Sequence, residues 1–186
     1  MSMGACMEAD RILRKKILEM VPQRHPFRFI EDILELDEDH IVGVYRFRSD
    51  EYFYRGHFPG MPITPGVILI ETMAQTGIVA FGLYLSMIRG KGSKEIGNPV
   101  TLFTLAENVE FTGVVRPGEP VLITGRKIYF RGNQIKVAIS MARPNGEEVC
   151  SGILAGKGVP RAEFDEKHEL HSEPIVPGKI MEETKP

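Results

Sequence analysis

Cysteine is scarce in this chain of 186 residues, which holds only Cys6 and Cys150. Two cysteines make no disulfide framework, and their separation is not a zinc-ligand spacing, so a reducing compartment is expected. An excess of either charge is missing too: 23 Lys and Arg stand against 25 Asp and Glu, for a net charge of -2. That balance offers no bulk attraction to nucleic acid or to an anionic membrane surface. No apolar run long enough for a signal peptide precedes Asp10, Arg11, Arg14, Lys15 and Lys16, which makes the cytoplasm the expected location. No internal repeat is present. His168 and His171 in HELH lack the HExxH zinc spacing, and Gly152 to Gly158 (GILAGKG) fails the phosphate-loop pattern. Neither metal nor nucleotide cofactor is expected.

What remains is ordinary globular composition, enough for one domain with a real core. Residues 8–21 (EADRILRKKILEMV) place Leu13, Ile17, Met20 and Val21 at helical spacing, and Pro22 stops the helix. Residues 27–36 and 41–48 read as two strands around a DEDH turn. From Gly66 to about Ile88 the chain is apolar nearly all round, behind a helix start at which Thr64 is the expected cap and Pro65 the first helical residue. Such a helix is either buried on every side or crosses a membrane. The surrounding strands, whose apolar faces need cover, favour burial. Residues 100–115, 121–131, 134–143 and 148–156 are four strand candidates, the first bulged near Glu107–Asn108, and together they read as an antiparallel meander. The expectation is an α+β domain over residues 1–159, one antiparallel sheet folded around one buried helix, followed by a charged, mobile tail at 160–186.

One stretch concentrates the chemistry: GHFPGMPITPGVILIETMAQ, from Gly56 to Gln75. It carries one imidazole, His57, on a glycine- and proline-punctuated loop, and one carboxyl group, Glu71, on the apolar helix. Proton abstraction beside a thioester carbonyl with loss of the neighbouring hydroxyl needs a base near neutral pH, N–H donors for the enolate oxygen, and an acid. His57 fits the base. Glu71, its pKa raised by desolvation, fits the acid. The helix start at Gly66 and Val67 offers free N–H groups, with Gly66 admitting close approach of substrate. Gln75, one turn beyond Glu71, can hold its carboxyl group. Each also has a plain reading: a structural histidine, a polar helix stripe, and loop punctuation.

The same stretch closely resembles the signature of bacterial 3-hydroxyacyl-ACP dehydratases of the FabZ type, GHFPG-x-P-x-x-PGV followed by E-x-x-AQ on a helix. Weaker likeness in RHPFRFIEDI and ENVEFTGVVRPGE extends it over roughly residues 20–158. The resemblance implies the hot-dog fold, a long helix wrapped by an antiparallel sheet. It puts the catalytic histidine on His57, the catalytic glutamate on Glu71 and the carbonyl-polarising amide on Gly66. It further implies a homodimer with one joined sheet, leaving a trimer of dimers open, and active sites that pair His57 of one subunit with Glu71 of the other at the mouth of an apolar tunnel. The related FabA type, which also isomerises the double bond, carries aspartate at the glutamate position, so Glu71 favours plain dehydration and leaves isomerisation open. Glu31 departs from the usual aspartate of the early strand, and His25 takes no family role.

Acyl carrier protein is then the expected partner, and being acidic it calls for a basic patch; Arg89, Lys91, Lys94, Arg126, Lys127 and Arg131 are candidates by charge. Two other functions fit the same fold: thioester hydrolysis with Glu71 activating water, and non-catalytic acyl binding.

Overall fold

The computed structural model describes residues 9–90 and 100–160. The segment 160–186 read as a tail, apart from Pro160, lies outside them, as do Lys91 and Lys94 and the histidines of HELH. Helix α1 (Arg11–Met20) is capped by the Asp10 side chain, which accepts the Leu13 N–H at 2.8 Å. Ile17 is fully buried on its inner face, with Leu13 and Met20 packed beside it. Strands β1 (Asp32–Leu36) and β2 (His40–Arg46) follow as a hairpin. A short 3-10 turn (Tyr52–Arg55) leads into the loop and then α2 (Gly66–Ile88). β3 (Val100–Phe111), β4 (Pro120–Arg131), β5 (Gln134–Ala142) and β6 (Glu148–Val159) are the remaining elements among the described residues.

All six strands form one antiparallel sheet in the order β1-β2-β4-β5-β6-β3. The α+β expectation holds, but the simple meander does not. β4, β5 and β6 do run as a meander, whereas β3 leaves for the far edge and pairs with β6, because β2 already occupies the free side of β4. The RPGEP segment is therefore part of a crossover, pinned by Phe47 N–H donating to Glu119 O at 3.1 Å. The register of β3 slips between Glu107 and Glu110, where Asn108 has φ 51°, so the expected bulge is present. The first strand is shorter than the 27–36 expectation and begins at Asp32.

Helix α2 lies across the concave face of this sheet. Its apolar length satisfies the test for a membrane crossing, but 72% of the relevant window is buried by the rest of the chain. It is a core helix. Contact between helix and sheet is close because glycine lies on both sides of the seam. A Cβ on Gly77 of the helix would come within 2.4 Å of Ile139 Cδ1, and one on Gly156 of β6 within 2.2 Å of Ile78 Cγ2. At the middle of α2, residues Gln75–Ala80 form a π-helical stretch, with Phe81 N–H reaching back to Thr76 O. The helix start, at Gly66, follows directly on the 52–65 loop, which Thr64 N–H ties to Val115 O at 2.8 Å.

Candidate active site

His57 is held by its backbone at both ends of a tight loop. Gly56 N–H and His57 N–H both donate to Phe53 O, at 3.2 and 3.0 Å, so the 3-10 turn fixes where the histidine begins. Phe58 and Met61 exchange backbone hydrogen bonds at 3.3 and 3.0 Å around Gly60, whose φ of +79° favours glycine. Ile63 N–H then returns to His57 O at 3.0 Å. The peptide between His57 and Phe58 is cis. The imidazole stacks on Phe58 with ring centroids 4.1 Å apart. Its Nδ1 lies 3.0 Å from Ile63 O. A carbonyl only accepts, so Nδ1 carries the proton in the neutral ring and Nε2 keeps its lone pair. The ring is half-buried and set up to take a proton at Nε2.

Glu71 stands on α2, about one and a half turns from its start. Burial raises its carboxyl pKa above the ordinary range, opposed by a hydrogen bond from Gln75. Gln75 Nε2 donates to Glu71 Oε1 at 2.9 Å and to Phe27 O at 2.9 Å, while its Oε1 accepts the Phe29 N–H at 2.7 Å. Gln75 is fully buried with every donor used. The expected helix-face pairing of Glu71 and Gln75 is present, and its anchor is the segment Phe27–Phe29, far away in sequence.

The helix start differs from expectation in one detail. Pro65 is the cap residue and Gly66 the first helical one, with no side chain capping the free N–H groups. Thr64 is committed elsewhere: its hydroxyl meets Tyr54 OH at 2.7 Å and its N–H donates to Val115 O at 2.8 Å. Pro65 O takes the N–H groups of Ile68 and Leu69, so those of Gly66 and Val67 come before the first N–H that donates within the helix. A Cβ on Gly66 would come within 3.0 Å of the Phe111 ring, so glycine here already serves packing within the chain. Val67 is 71% exposed.

No hydrogen bond or ion pair joins His57 to Glu71 within the chain; each has its own set of partners. The loop and the helix start carry exposed apolar side chains: Phe58, stacked on His57, Met61, Val67 and, from β3, Phe111 beside Gly66. The outer edge of β3 is unpaired among the described residues and also apolar, with Leu102, Phe103 and Leu105 exposed.

The FabA-like domain family matches residues 21–152. The 3-hydroxyacyl-[acyl-carrier-protein] dehydratase FabZ of Caldicellulosiruptor bescii is 36% identical over 140 residues, covering 75% of this chain and 93% of that protein. That of Syntrophobacter fumaroxidans is 40% identical over 124 residues, covering 66% and 78%. The chain belongs to the FabA-like family, FabZ type. Among solved structures, the dehydratase heterocomplex ApeI:P from Xenorhabdus doucetiae superposes with a TM-score of 0.67 at 14% identity, covering 81% of this chain and 95% of that one. The fold is thus the hot-dog fold.

Of the basic residues named from charge, Arg89, Arg126, Lys127 and Arg131 are among the described residues of this FabZ-type chain, and none of these four lies on the 52–65 loop. Arg89 closes the far end of α2, roughly 35 Å from Gly66 by helical rise. There it donates to Phe130 O at 2.7 Å and lies over the Phe130 ring. Arg131 is its neighbour on β4. Lys127 is paired with Asp39 at 3.0 Å, and Arg126 lines a separate cleft with Asn108 and Ser140. Charge counting by itself carries no position. Sequence reasoning also passed over the Ile63 carbonyl and the Phe27–Phe29 backbone. RHPFRF was the available signal for the second of these, and nothing in the sequence marked the first.

Proposed function

We propose that this protein dehydrates (3R)-3-hydroxyacyl-ACP to trans-2-enoyl-ACP in fatty acid biosynthesis, as a lyase without cofactor, with His57 as base and Glu71 as acid. The observation that carries this reading is the contact of His57 Nδ1 with Ile63 O, beside a half-buried Glu71 carboxyl whose pKa burial raises. Ile63 holds the neutral His57 ring with Nε2 unprotonated, and burial favours the protonated form of Glu71. In the proposed reaction Nε2 takes the proton from C2 of the substrate. The enolate oxygen so formed faces the N–H groups of Gly66 and Val67 at the positive end of the α2 dipole. The C3–O bond breaks as Glu71 gives its proton to the departing hydroxyl, which leaves as water, and the electron pair closes the C2–C3 double bond. His57 is left as imidazolium and Glu71 as carboxylate, and proton return through solvent resets both.

The reading extends to a homodimer in which His57 of one subunit works with Glu71 of the other. The separation of their hydrogen-bond partners within one chain supports this, as does the exposed apolar surface around the site and along β3. The acyl carrier would be met by Arg55 and Arg116. Arg55 directly precedes Gly56, and Arg116 follows Val115, whose carbonyl holds Thr64. Residues 1–159 form the working domain in this reading, in the cytoplasm.

The test is purified protein with a hydroxyacyl-ACP, or with an enoyl thioester in the hydration direction. Wild type is active, and His57→Ala and Glu71→Gln are not. An inactive wild type, or variants as active as wild type, ends the proposal, and release of free thiol instead of enoyl product points to hydrolysis. Mixing the two inactive variants restores one site in each mixed dimer; no restoration rules out shared sites. Charge reversal at Arg55 and Arg116 raises KM for ACP substrates and leaves small thioesters unaffected.

A further inference from the structure

His57 rests on a turn whose support lies outside the loop. Glu51 opens that turn: Tyr54 N–H donates to Glu51 O at 3.1 Å, and Phe53, between them, supplies the carbonyl that takes the His57 N–H. Although Glu51 sits in the polar run SDEY, its side chain is only 1% exposed. A carboxyl group is rarely buried so completely without partners. Its Oε1 accepts the Tyr45 hydroxyl and lies 3.4 Å from Arg48 Nε. Arg48 is steadied in turn by His25 Nδ1 at 2.9 Å, which accepts from its guanidinium. Tyr45 is wedged edge-on between Phe29 and Phe47, with ring centroids 5.7 and 5.1 Å away, so its hydroxyl has a fixed position.

As a device for stability this arrangement is poor. Glu51 Oε2 is buried with no hydrogen-bond partner among the described residues. Buried ion pairs are commonly no better than apolar packing of the same volume. What the arrangement does supply is a short, stiff path from the sheet to the loop: Tyr45 on β2 holds Glu51, the turn begun by Glu51 sets the Phe53 carbonyl, and that carbonyl holds His57.

We propose that Glu51 is a positioning residue for His57: its buried carboxyl group, held by Tyr45 and Arg48, fixes the turn so that His57 keeps Nδ1–H on Ile63 O and presents Nε2 to the substrate. Glu51 itself touches no reacting group. The proposal rests on the dehydratase reading only for the role of His57.

The test compares wild type with Glu51→Gln, which preserves shape but loses the ion pair with Arg48, and with Tyr45→Phe, which removes only the hydroxyl donor. Small misplacements of a catalytic group cost up to about 100-fold, so kcat of Glu51→Gln falls on the order of 10- to 100-fold. KM stays within about threefold, since substrate contacts are intact. Long-range nitrogen–proton NMR on the substrate-free protein reads the His57 tautomer directly. Wild type gives the Nδ1–H form, and the variants give a mixture with the Nε2–H form. If Glu51→Gln does not fold, Tyr45→Phe decides alone. A wild-type His57 signature in the folded variants overturns the proposal, as does a wild-type kcat. The NMR arm is independent of turnover, so an inactive wild type would refute the dehydratase reading without touching this result.

Discussion

Gln75 reaches back one helical turn to donate to Glu71 Oε1 at 2.9 Å, while its own carbonyl oxygen accepts the Phe29 N–H at 2.7 Å. The backbone N–H can only donate, so the Gln75 amide has a single orientation that satisfies all three partners. Glu71 is therefore held by a side chain that the early segment of the chain has already fixed. The π-helical stretch of α2 starts at Gln75. Such turns inside α-helices often coincide with functional sites.

Replacing Gln75 by leucine tests this arrangement. The substitution removes three hydrogen bonds and leaves the buried Phe29 N–H without a partner, a loss of about 1–3 kcal/mol. For a chain of this size that lowers Tm by roughly 3–10 °C. The variant also frees Glu71 to change rotamer, so kcat falls in addition. Thermal unfolding and a turnover assay on the same preparation give both numbers, and an unchanged Tm contradicts the network.

The extent to which sequence revealed this site follows from where its parts lie along the chain. His57, Gly66, Glu71 and Gln75 fall within one loop and the helix it enters, so spacing and glycine–proline punctuation were enough to find them. Phe27 and Phe29 meet Gln75 across a gap of more than forty residues, and periodicity encodes no partner at that range. Glu51 looked solvated among Ser49, Asp50 and Tyr52; its burial comes from Tyr45 on β2, a tertiary contact. The same limit explains β3. RPGEP has the residues of a tight turn, and only competition for the edge of β4 shows that the chain crosses over instead.

His40 at the start of β2 predicts a pH effect away from the site. Its ring bonds Glu35 through Nε2 at 3.0 Å and Asp37 through Nδ1 at 2.9 Å, beside the Asp39–Lys127 pair. The Glu35 hydrogen bond is the largest influence and raises the His40 pKa, against desolvation, with Asp37 adding to the rise. A raised pKa in the folded state contributes stability that is whole below about pH 6.5 and is lost as pH rises through the folded value. Wild type should therefore exceed His40→Gln in stability by more at about pH 5.5 than at about pH 8.5, by denaturant unfolding. A gap that widens with rising pH contradicts the pairing.

Gly156→Ala addresses the seam between helix and sheet. The new Cβ would meet Ile78 Cγ2 at 2.2 Å and Leu102 O at 3.0 Å. Ile78 is branched and fully packed, and the carbonyl belongs to the neighbouring strand, so neither yields easily. Overpacking of this kind costs about 1–3 kcal/mol, more than alanine gains over glycine in a strand. A folded variant with wild-type or higher Tm would show that the helix rides farther from the sheet.

Glu71→Gln separates the chemistry of the site from its stability. Loss of a general acid lowers turnover by roughly 100- to 10,000-fold, so kcat collapses if Glu71 acts as proposed. Stability moves the other way. Burial raises the Glu71 pKa, with Gln75 opposing, so the acid form is the one the fold accommodates. Its favourable contribution is complete below the ordinary glutamate pKa of about 4.3 and disappears as pH rises through the folded value. Above that point wild type carries a half-buried negative charge that glutamine lacks, while glutamine can still accept the Gln75 hydrogen bond through its amide oxygen. The Tm of Glu71→Gln relative to wild type should accordingly rise from acid to neutral pH, with the variant at least as stable at about pH 7.5. Calorimetry across that range checks the sign. An inactive variant that also grows less stable than wild type toward neutral pH would mean that Glu71 is braced as an anion, which is incompatible with its role as the proton donor.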